Sequence, residues 1–216
     1  MPNRLVIGTK RYSSWSMRGW LAVRLAKLDV EEVVIPLAGG STQAVKEATP
    51  HGMVPYLEHE GARIWESLAI CEYCAELAPN LWPSDRAQRA HARSIASEMH
   101  AGFRELRVNM PMNTGREYPG GGRTEGSLRD IVRIETLWAE ALAASRGPFL
   151  FGRDFGLADA MYAPVVTRFL TWQPKLSAIS EAYVAAVRAH PLVARWYDEA
   201  AAEPTEWLIE KYETMA

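Results

Sequence analysis

Cysteine is scarce in this chain of 216 residues, and neither charge sign is in excess. Two cysteines cannot form the disulfide framework of a small secreted protein. With 24 Lys and Arg against 26 Asp and Glu, the chain has no basic surplus for a nucleic acid. The longest uncharged stretch, residues 33–45, is thirteen residues long. A membrane helix needs about twenty, so we expect neither a nucleic-acid nor a membrane partner.

Two further kinds of site find little support in the sequence. The first eight residues lack the apolar core of a secretory leader, so we expect a reduced, cytoplasmic protein. The five histidines show no metal-ligand spacing, so we expect no metal site. Cys71 and Cys74 form a C-x-x-C pair, but both fall on one face of a predicted helix. We interpret them as small buried apolar residues rather than a redox pair.

The first eighty residues alternate strand-like and helix-like patterns. Short apolar runs at 5–8, 33–35, 56–59 and 63–65 predict strands. Helical periods separate them, which gives the order β-α-β-α-β-β-α. The first helix predicts a parallel strand pair, and the tight turn at 60–61 predicts an antiparallel one.

After two prolines within residues 79–83, the pattern becomes helical throughout. A helix capped by Ser84 or Asp85 is predicted to run unbroken to Pro111, because apolar residues repeat along it at helical spacing. A nearly all-apolar run at 157–170 predicts a central buried helix. We therefore predict a first domain at 1–79, a linker at 80–85 and an all-helical domain at 86–216.

Four short motifs resemble those of one enzyme family. They are Tyr-Ser-Ser-Trp-Ser-Met-Arg at 12–18, Thr-Pro-His-Gly-Met-Val-Pro-Tyr-Leu at 49–57, Glu-Ser-Leu-Ala-Ile at 66–70, and the segment from Phe-Gly to Leu-Ala-Asp at 151–159. In order and spacing they resemble the cytosolic glutathione S-transferases, in particular serine-type, zeta-like members. The resemblance implies an α/β thioredoxin-like domain followed by an all-α domain, with glutathione as co-substrate.

The serines at the start of the first helix are the candidate catalytic residues. A free thiol has a pKa of about 8.5, and a hydroxyl donor together with a helix N-terminus would lower that value for glutathione. Ser13 lies five residues before Arg18, as in zeta-like relatives, and is the first choice. Theta-like spacing would select Ser14 instead. Ser13, Ser14 and Ser16 could also serve only as helix caps, a common use of serine.

The other implied glutathione contacts come from the second and third motifs. The resemblance implies a cis Val54-Pro55 bond, with the Val54 backbone pairing with the cysteinyl moiety. Met53 stands where many relatives carry Lys or Gln, so a contact to the glycyl carboxylate could be missing or supplied elsewhere. Ser67, predicted to cap the next helix, would bind the γ-glutamyl carboxylate, and Glu66 would bind the ammonium.

The predicted activity is addition of glutathione thiolate to a small electrophile. A non-catalytic glutathione-binding scaffold, a peroxidase and a maleylacetoacetate-type isomerase remain alternatives. Trp15 stands where the isomerases carry cysteine. We expect the electrophile pocket near Met110, Met112 and Trp172, and the resemblance implies a homodimer. Asp159, at the third position of the central helix, is expected to bond the amide of residue 156.

Overall fold

A four-stranded sheet forms the first part of the molecule. The computed structural model describes residues 3–215, with strands Arg4–Gly8 (β1), Glu31–Ile35 (β2), Tyr56–His59 (β3) and Ala62–Trp65 (β4). The strand order is β2-β1-β3-β4, with β1 parallel to β2 and the other two pairs antiparallel. Both predicted pairings are confirmed.

Helices cover the two faces of this sheet. Side chains alternate between the faces of a strand, so Leu5 and Ile7 lie on one face of β1 and Val6 on the other. Leu5 and Ile7 belong to the main core with α1 and α3, whereas Val6 packs with Val45 of α2. The sheet is therefore buried on both sides. The three helices are Ser14–Leu25 (α1), Gln43–Ala48 (α2) and Ser67–Leu77 (α3).

The rest of the described chain is helical. None of its helices is long and apolar enough to cross a membrane. Two short 3₁₀ helices, Pro79–Leu81 and Thr205–Trp207, accompany seven α-helices: Arg86–Ala101 (α4), Arg104–Asn109 (α5), Glu125–Ser145 (α6), Leu157–Trp172 (α7), Ala178–Ala189 (α8), Pro191–Ala201 (α9) and Glu210–Glu213 (α10).

The helix predicted to run unbroken to Pro111 is in fact two helices, so that prediction is wrong. The amide of Gly102 bonds the carbonyl of Glu98 at 2.8 Å and ends α4. Phe103 then takes a left-handed backbone conformation with φ of +57°, and α5 starts after it. The apolar repeat continues across this break, which is why periodicity alone missed it.

The central helix α7 begins at a buried carboxylate. Asp159 accepts hydrogen bonds from the amides of Gly156 at 2.9 Å and Leu150 at 3.0 Å, and from the Tyr183 hydroxyl at 3.0 Å. The expected bond to residue 156 is therefore present. Burial outweighs these three donors and raises the pKa of Asp159 to about 6.

The strands all precede residue 66, and the described chain from Pro79 onward is helical. The boundaries drawn at 1–79, 80–85 and 86–216 stay a prediction. Residues 1, 2 and 216, which belong to the two predicted domains, lie outside the described residues.

Candidate functional site

The serine motif forms the N-terminus of α1. Ser13 is the N-cap, and its Oγ accepts a bond from the Ser16 amide at 3.3 Å. The Ser13 and Ser16 hydroxyls lie 2.7 Å apart, and the amide of Gly8 donates to Ser16 Oγ at 2.9 Å. The first turn of α1 carries no acidic residue, so the positive end of the helix dipole is not offset there.

The neighbouring Ser14 is tied to the helical part of the molecule. Arg168 of α7 donates from Nη2 to Ser14 Oγ at 3.3 Å and from Nη1 to the Pro164 carbonyl at 3.2 Å. Both Ser14 and Arg168 are buried. Burial, together with repulsion from nearby Arg107, lowers the pKa of Arg168 to about 9. A buried cation therefore donates a hydrogen bond to one of the candidate catalytic serines.

Two more arginines flank Trp15. The guanidinium carbons of Arg18 and Arg107 lie 4.9 Å and 4.8 Å from the centre of the indole ring. We call Arg18, Arg107 and Arg168 the arginine cluster. Within residues 3–215, no carboxylate lies within 4.0 Å of any of these three guanidinium groups. Burial and repulsion within the cluster lower the pKa of Arg18.

A cleft of about 480 Å³ lies between the start of α1, the end of α4 and the segment that precedes β3. It brings together three residues that the sequence analysis selected, Met53, Val54 and Glu66. The Val54-Pro55 bond is cis, as the resemblance implied, and Met53 is 51% exposed. The cleft is lined by Trp15, His51, Met53, Val54, Pro55, Glu66, His100 and Ala101.

The prediction that Ser67 caps α3 is wrong. Glu66 is the N-cap, in a left-handed conformation with φ of +69°, and Ser67 is the first helical residue. A left-handed backbone costs a non-glycine residue about 1–2 kcal/mol, and such strain clusters at ligand sites. The Ser67 hydroxyl is fully buried and has no hydrogen-bond partner among residues 3–215.

Sequence reasoning missed two histidines of the cleft. His100 Nε2 lies 3.6 Å from Glu66 Oε2, and the His100 ring meets Trp15 edge-on at 5.3 Å. His51 packs against Trp65 with ring centres 5.8 Å apart. Burial is the largest of the effects that lower the pKa of each histidine. His51 lay inside the 49–57 motif and could have been found, whereas only the tertiary fold brings His100 to Glu66.

The structure buries the three side chains that the sequence analysis placed at the electrophile pocket. Met110, Met112 and Trp172 are all buried in the main core. The Trp172 indole donates to the Pro111 carbonyl at 2.9 Å, which ties the loop after α5 to the end of α7. These side chains therefore pack into the core and support the fold.

Three other reactive side chains are also engaged elsewhere. The Tyr12 hydroxyl donates to Glu213 Oε1 at 2.6 Å and accepts from the Ile209 amide at 3.2 Å. Cys71 and Cys74 are buried in α3, where burial raises the pKa of both thiols. In the described part of the chain, no three His, Cys, Asp or Glu side chains group as metal ligands would.

Comparison with known proteins agrees with this geometry. The family of glutathione S-transferase N-terminal domains matches residues 9–82, and that of C-terminal domains matches residues 122–199. The chain is 30% identical to maleylacetoacetate isomerase of Rattus norvegicus over 186 residues, covering 80% of this chain and 84% of the rat protein. It is 29% identical to a probable maleylacetoacetate isomerase of Caenorhabditis elegans, covering 83% of this chain and 89% of that protein.

Solved structures show the same fold. A glutathione transferase homologue from Burkholderia with bound glutathione matches with a TM-score of 0.72 and 22% identity, over 94% of this chain and 100% of that one. A bacterial maleyl pyruvate isomerase of the zeta class matches with a TM-score of 0.68 and 23% identity, over 94% of this chain and 99% of that one. The chain therefore belongs to the glutathione S-transferase family of enzymes.

Proposed function

We propose that the protein binds glutathione in this cleft, keeps it as a thiolate through Ser13, and adds it to a small electrophile. The observation that carries the proposal is the grouping of Val54 and Glu66 around one cleft that reaches the start of α1. Residues 1–79 would supply the glutathione site, and residues 86–216 would supply the electrophile site.

The proposed thiolate stabilisation comes from Ser13 and the helix that it caps. In the structure the Ser13 hydroxyl donates to Ser16 Oγ, 2.7 Å away, and the Gly8 amide donates to the same oxygen. A hydroxyl can donate as well as accept, so when glutathione binds, Ser16 would donate to Ser13 Oγ instead. Ser13 would then keep its hydrogen for the sulfur. The N-terminus of α1 favours the same anion. Each unit of pKa lowering corresponds to about 1.4 kcal/mol in favour of the thiolate.

Ser14 is the alternative donor. Its oxygen already accepts from Arg168, so its hydrogen is also available to an anion, and the cation behind it would strengthen the bond. The two serines therefore make different predictions. Loss of Ser13 removes a helix cap together with the donor, whereas loss of Ser14 leaves Arg168 with one hydrogen-bond acceptor fewer.

The arginine cluster favours an electrophile that carries carboxylates. Buried cations are normally paired, yet the buried Arg18 and Arg168 and the half-buried Arg107 have no carboxylate partner among the described residues. Maleylacetoacetate isomerase, the name of several relatives, denotes action on an unsaturated acid. The thiolate would add to the cis double bond, rotation about the resulting single bond would follow, and elimination would restore glutathione.

Three measurements test the proposal. Calorimetric titration with glutathione should show saturable binding, and the ultraviolet absorbance of the bound thiolate should appear near neutral pH. Turnover should be measured with an uncharged aryl electrophile and with a cis-unsaturated diacid. Isomerisation of the diacid without consumption of glutathione would select the isomerase. Binding without turnover on either substrate would select the scaffold.

We also propose a homodimer. Leu128 and Val132 of α6 are 44% and 65% exposed, beside Arg129 and Arg133. Exposed apolar side chains on a long helix suit an interface with a second copy. Sedimentation at micromolar concentration should give a species of twice 24.1 kDa. A single species at the monomer mass would contradict the proposal.

A further inference from the structure

We infer that His100 is a positioning residue that fixes the Glu66 carboxylate for the ammonium group of the γ-glutamyl moiety. The inference rests on the proposed binding of glutathione in the cleft. It adds a contribution from α4, in the helical part of the molecule, to the recognition of one end of the tripeptide. Neither the motifs nor the family resemblance selected His100.

The geometry isolates the pair from other partners. Glu66 lies at the N-cap of α3, its side chain is 48% exposed, and its carboxylate accepts no hydrogen bond within residues 3–215. His100, on the last turn of α4, is the basic side chain that comes within 4.0 Å of that carboxylate in the same range. The left-handed backbone of Glu66 directs the turn between β4 and α3, and His100 approaches from across the cleft.

The surroundings of His100 select its tautomer. Its Nδ1 is buried without a partner in the described chain, and an unpaired buried N–H is costlier than an unpaired lone pair. Nε2 therefore carries the hydrogen and points it toward Glu66. At 3.6 Å the contact is an ion–dipole contact rather than a hydrogen bond. It orients one carboxylate oxygen and leaves the other for an ammonium donor.

The charge of His100 decides the sign of the effect. Glu66 of α3, Arg18 of α1 and Arg107 of α5 are the charged groups that act on it. Burial, together with the two arginines, lowers the pKa of His100 below its ordinary 6.5 despite Glu66. At pH 7 the ring is neutral and supports the carboxylate. In acid it becomes a cation that pairs with Glu66 and repels the ligand ammonium.

The test compares glutathione with an analogue in which hydrogen replaces the γ-glutamyl amino group. Calorimetry measures the affinity of both ligands for the wild type, His100→Gln and His100→Phe. The wild type should prefer glutathione by about 10- to 100-fold, as for one charge-assisted hydrogen bond. His100→Phe keeps the ring packed on Trp15 and should lose most of this preference, with unchanged affinity for the analogue. His100→Gln keeps a donor and should keep most of it.

The pH profile supplies a second measurement, which a packing role would not change. In the wild type the preference should fall in acid as His100 becomes protonated, and in His100→Gln that fall should be lost. Equal losses for both ligands in His100→Phe, or an unchanged acid profile in His100→Gln, would overturn the inference. A wild type that binds neither ligand would instead overturn the proposed function, so the two failures are distinguishable.

Discussion

Buried cations occur in two places, at Lys10 and in the arginine cluster, and their surroundings are opposite. Lys10, which follows β1, contacts the carboxylates of Glu32 and Glu199. Its Nζ also lies 5.5 Å and 5.6 Å from the ring centres of Trp20 and Trp196. We call these five residues the Lys10 cluster. Every charge in it has a counter-charge, and the lysine is 4% exposed.

In the arginine cluster Arg18 and Arg168 are as buried as Lys10 and Arg107 is half-buried, but none of the three has a carboxylate partner among the described residues. Its guanidinium groups bond carbonyls and one serine hydroxyl, and they lower each other's affinity for protons. The comparison indicates a division of roles. The Lys10 cluster joins the two parts of the chain, and we propose that the arginine cluster, which contacts Trp15 of the cleft, keeps positive charge near the site for an anionic substrate.

The largest expected effect is on the Lys10 cluster. Lys10→Met removes the cation and leaves two carboxylates close together and partly buried. Breaking one partner of a buried ion pair costs about 3–5 kcal/mol. Urea unfolding should show this loss, and the melting temperature should fall by roughly 6–20 °C for a chain of this size. Glu32→Gln with Lys10→Met should recover part of it.

Substitutions of Asp159 test whether hydrogen bonds can stabilise a buried carboxylate in place of an opposite charge. Asp159→Ala leaves two amides and a tyrosine hydroxyl without their acceptor, which should cost about 2–3 kcal/mol. The pKa of Asp159 is raised from 3.8 to about 6, so the folded state binds this proton more tightly. The carboxyl thus contributes stability that is full below pH 4 and is lost as pH rises through about 6. The wild type minus Asp159→Asn difference in unfolding free energy should show that decline. A flat difference would contradict it.

Near the arginine cluster, the first quantity to measure is the pKa of the thiol of bound glutathione. Ser13→Ala should leave glutathione affinity nearly unchanged while the pKa of the bound thiol rises by one to two units, since a hydrogen bond to an ion contributes about 1.5–3 kcal/mol. Ultraviolet titration of the thiolate measures this directly. Ser14→Ala is the matched control. A shift in Ser14→Ala alone would transfer the role to Ser14.

The smallest effect on stability is expected for Arg168→Met. Replacing an unpaired buried cation by an apolar side chain of similar size should change the free energy of unfolding by less than about 1 kcal/mol, or increase it. Turnover should fall by about tenfold or more on a diacid electrophile and less on an uncharged one. A stability loss as large as that of Lys10→Met would remove the proposed division of roles.

The parts of the fold that depend on neighbouring residues could be predicted from the sequence. The β3–β4 hairpin was predicted because Glu60 and Gly61 form a tight turn between two short strands. The structure gives both residues left-handed φ values, +49° and +83°. The N-terminus of α7 was likewise predicted, because a lone carboxylate at the third helical position has one nearby amide to bond.

Features that depend on distant residues could not be predicted. Lys10 meets Glu32 and Glu199 across separations of 22 and 189 residues. The end of α4 at Gly102 leaves the apolar repeat intact, so periodicity gave no sign of it. Met110, Met112 and Trp172 were assigned to a pocket because apolar side chains suit both a pocket and a core, and packing decided for the core. The roles of Ser13, Ser14, Met53, Val54, Glu66 and Ser67 stay predictions.

The placement of Trp15 also gives the protein an optical probe of its own. Of the eight tryptophans, Trp15 is the one among the described cleft residues, between two guanidinium groups and edge-on to an imidazole. Indole emission depends on nearby charge and water, and a tripeptide in the cleft would change both. Fluorescence of the unlabelled protein should therefore follow glutathione occupancy in real time. The Trp15→Phe variant gives the emission of the other seven tryptophans, which is subtracted from that of the wild type.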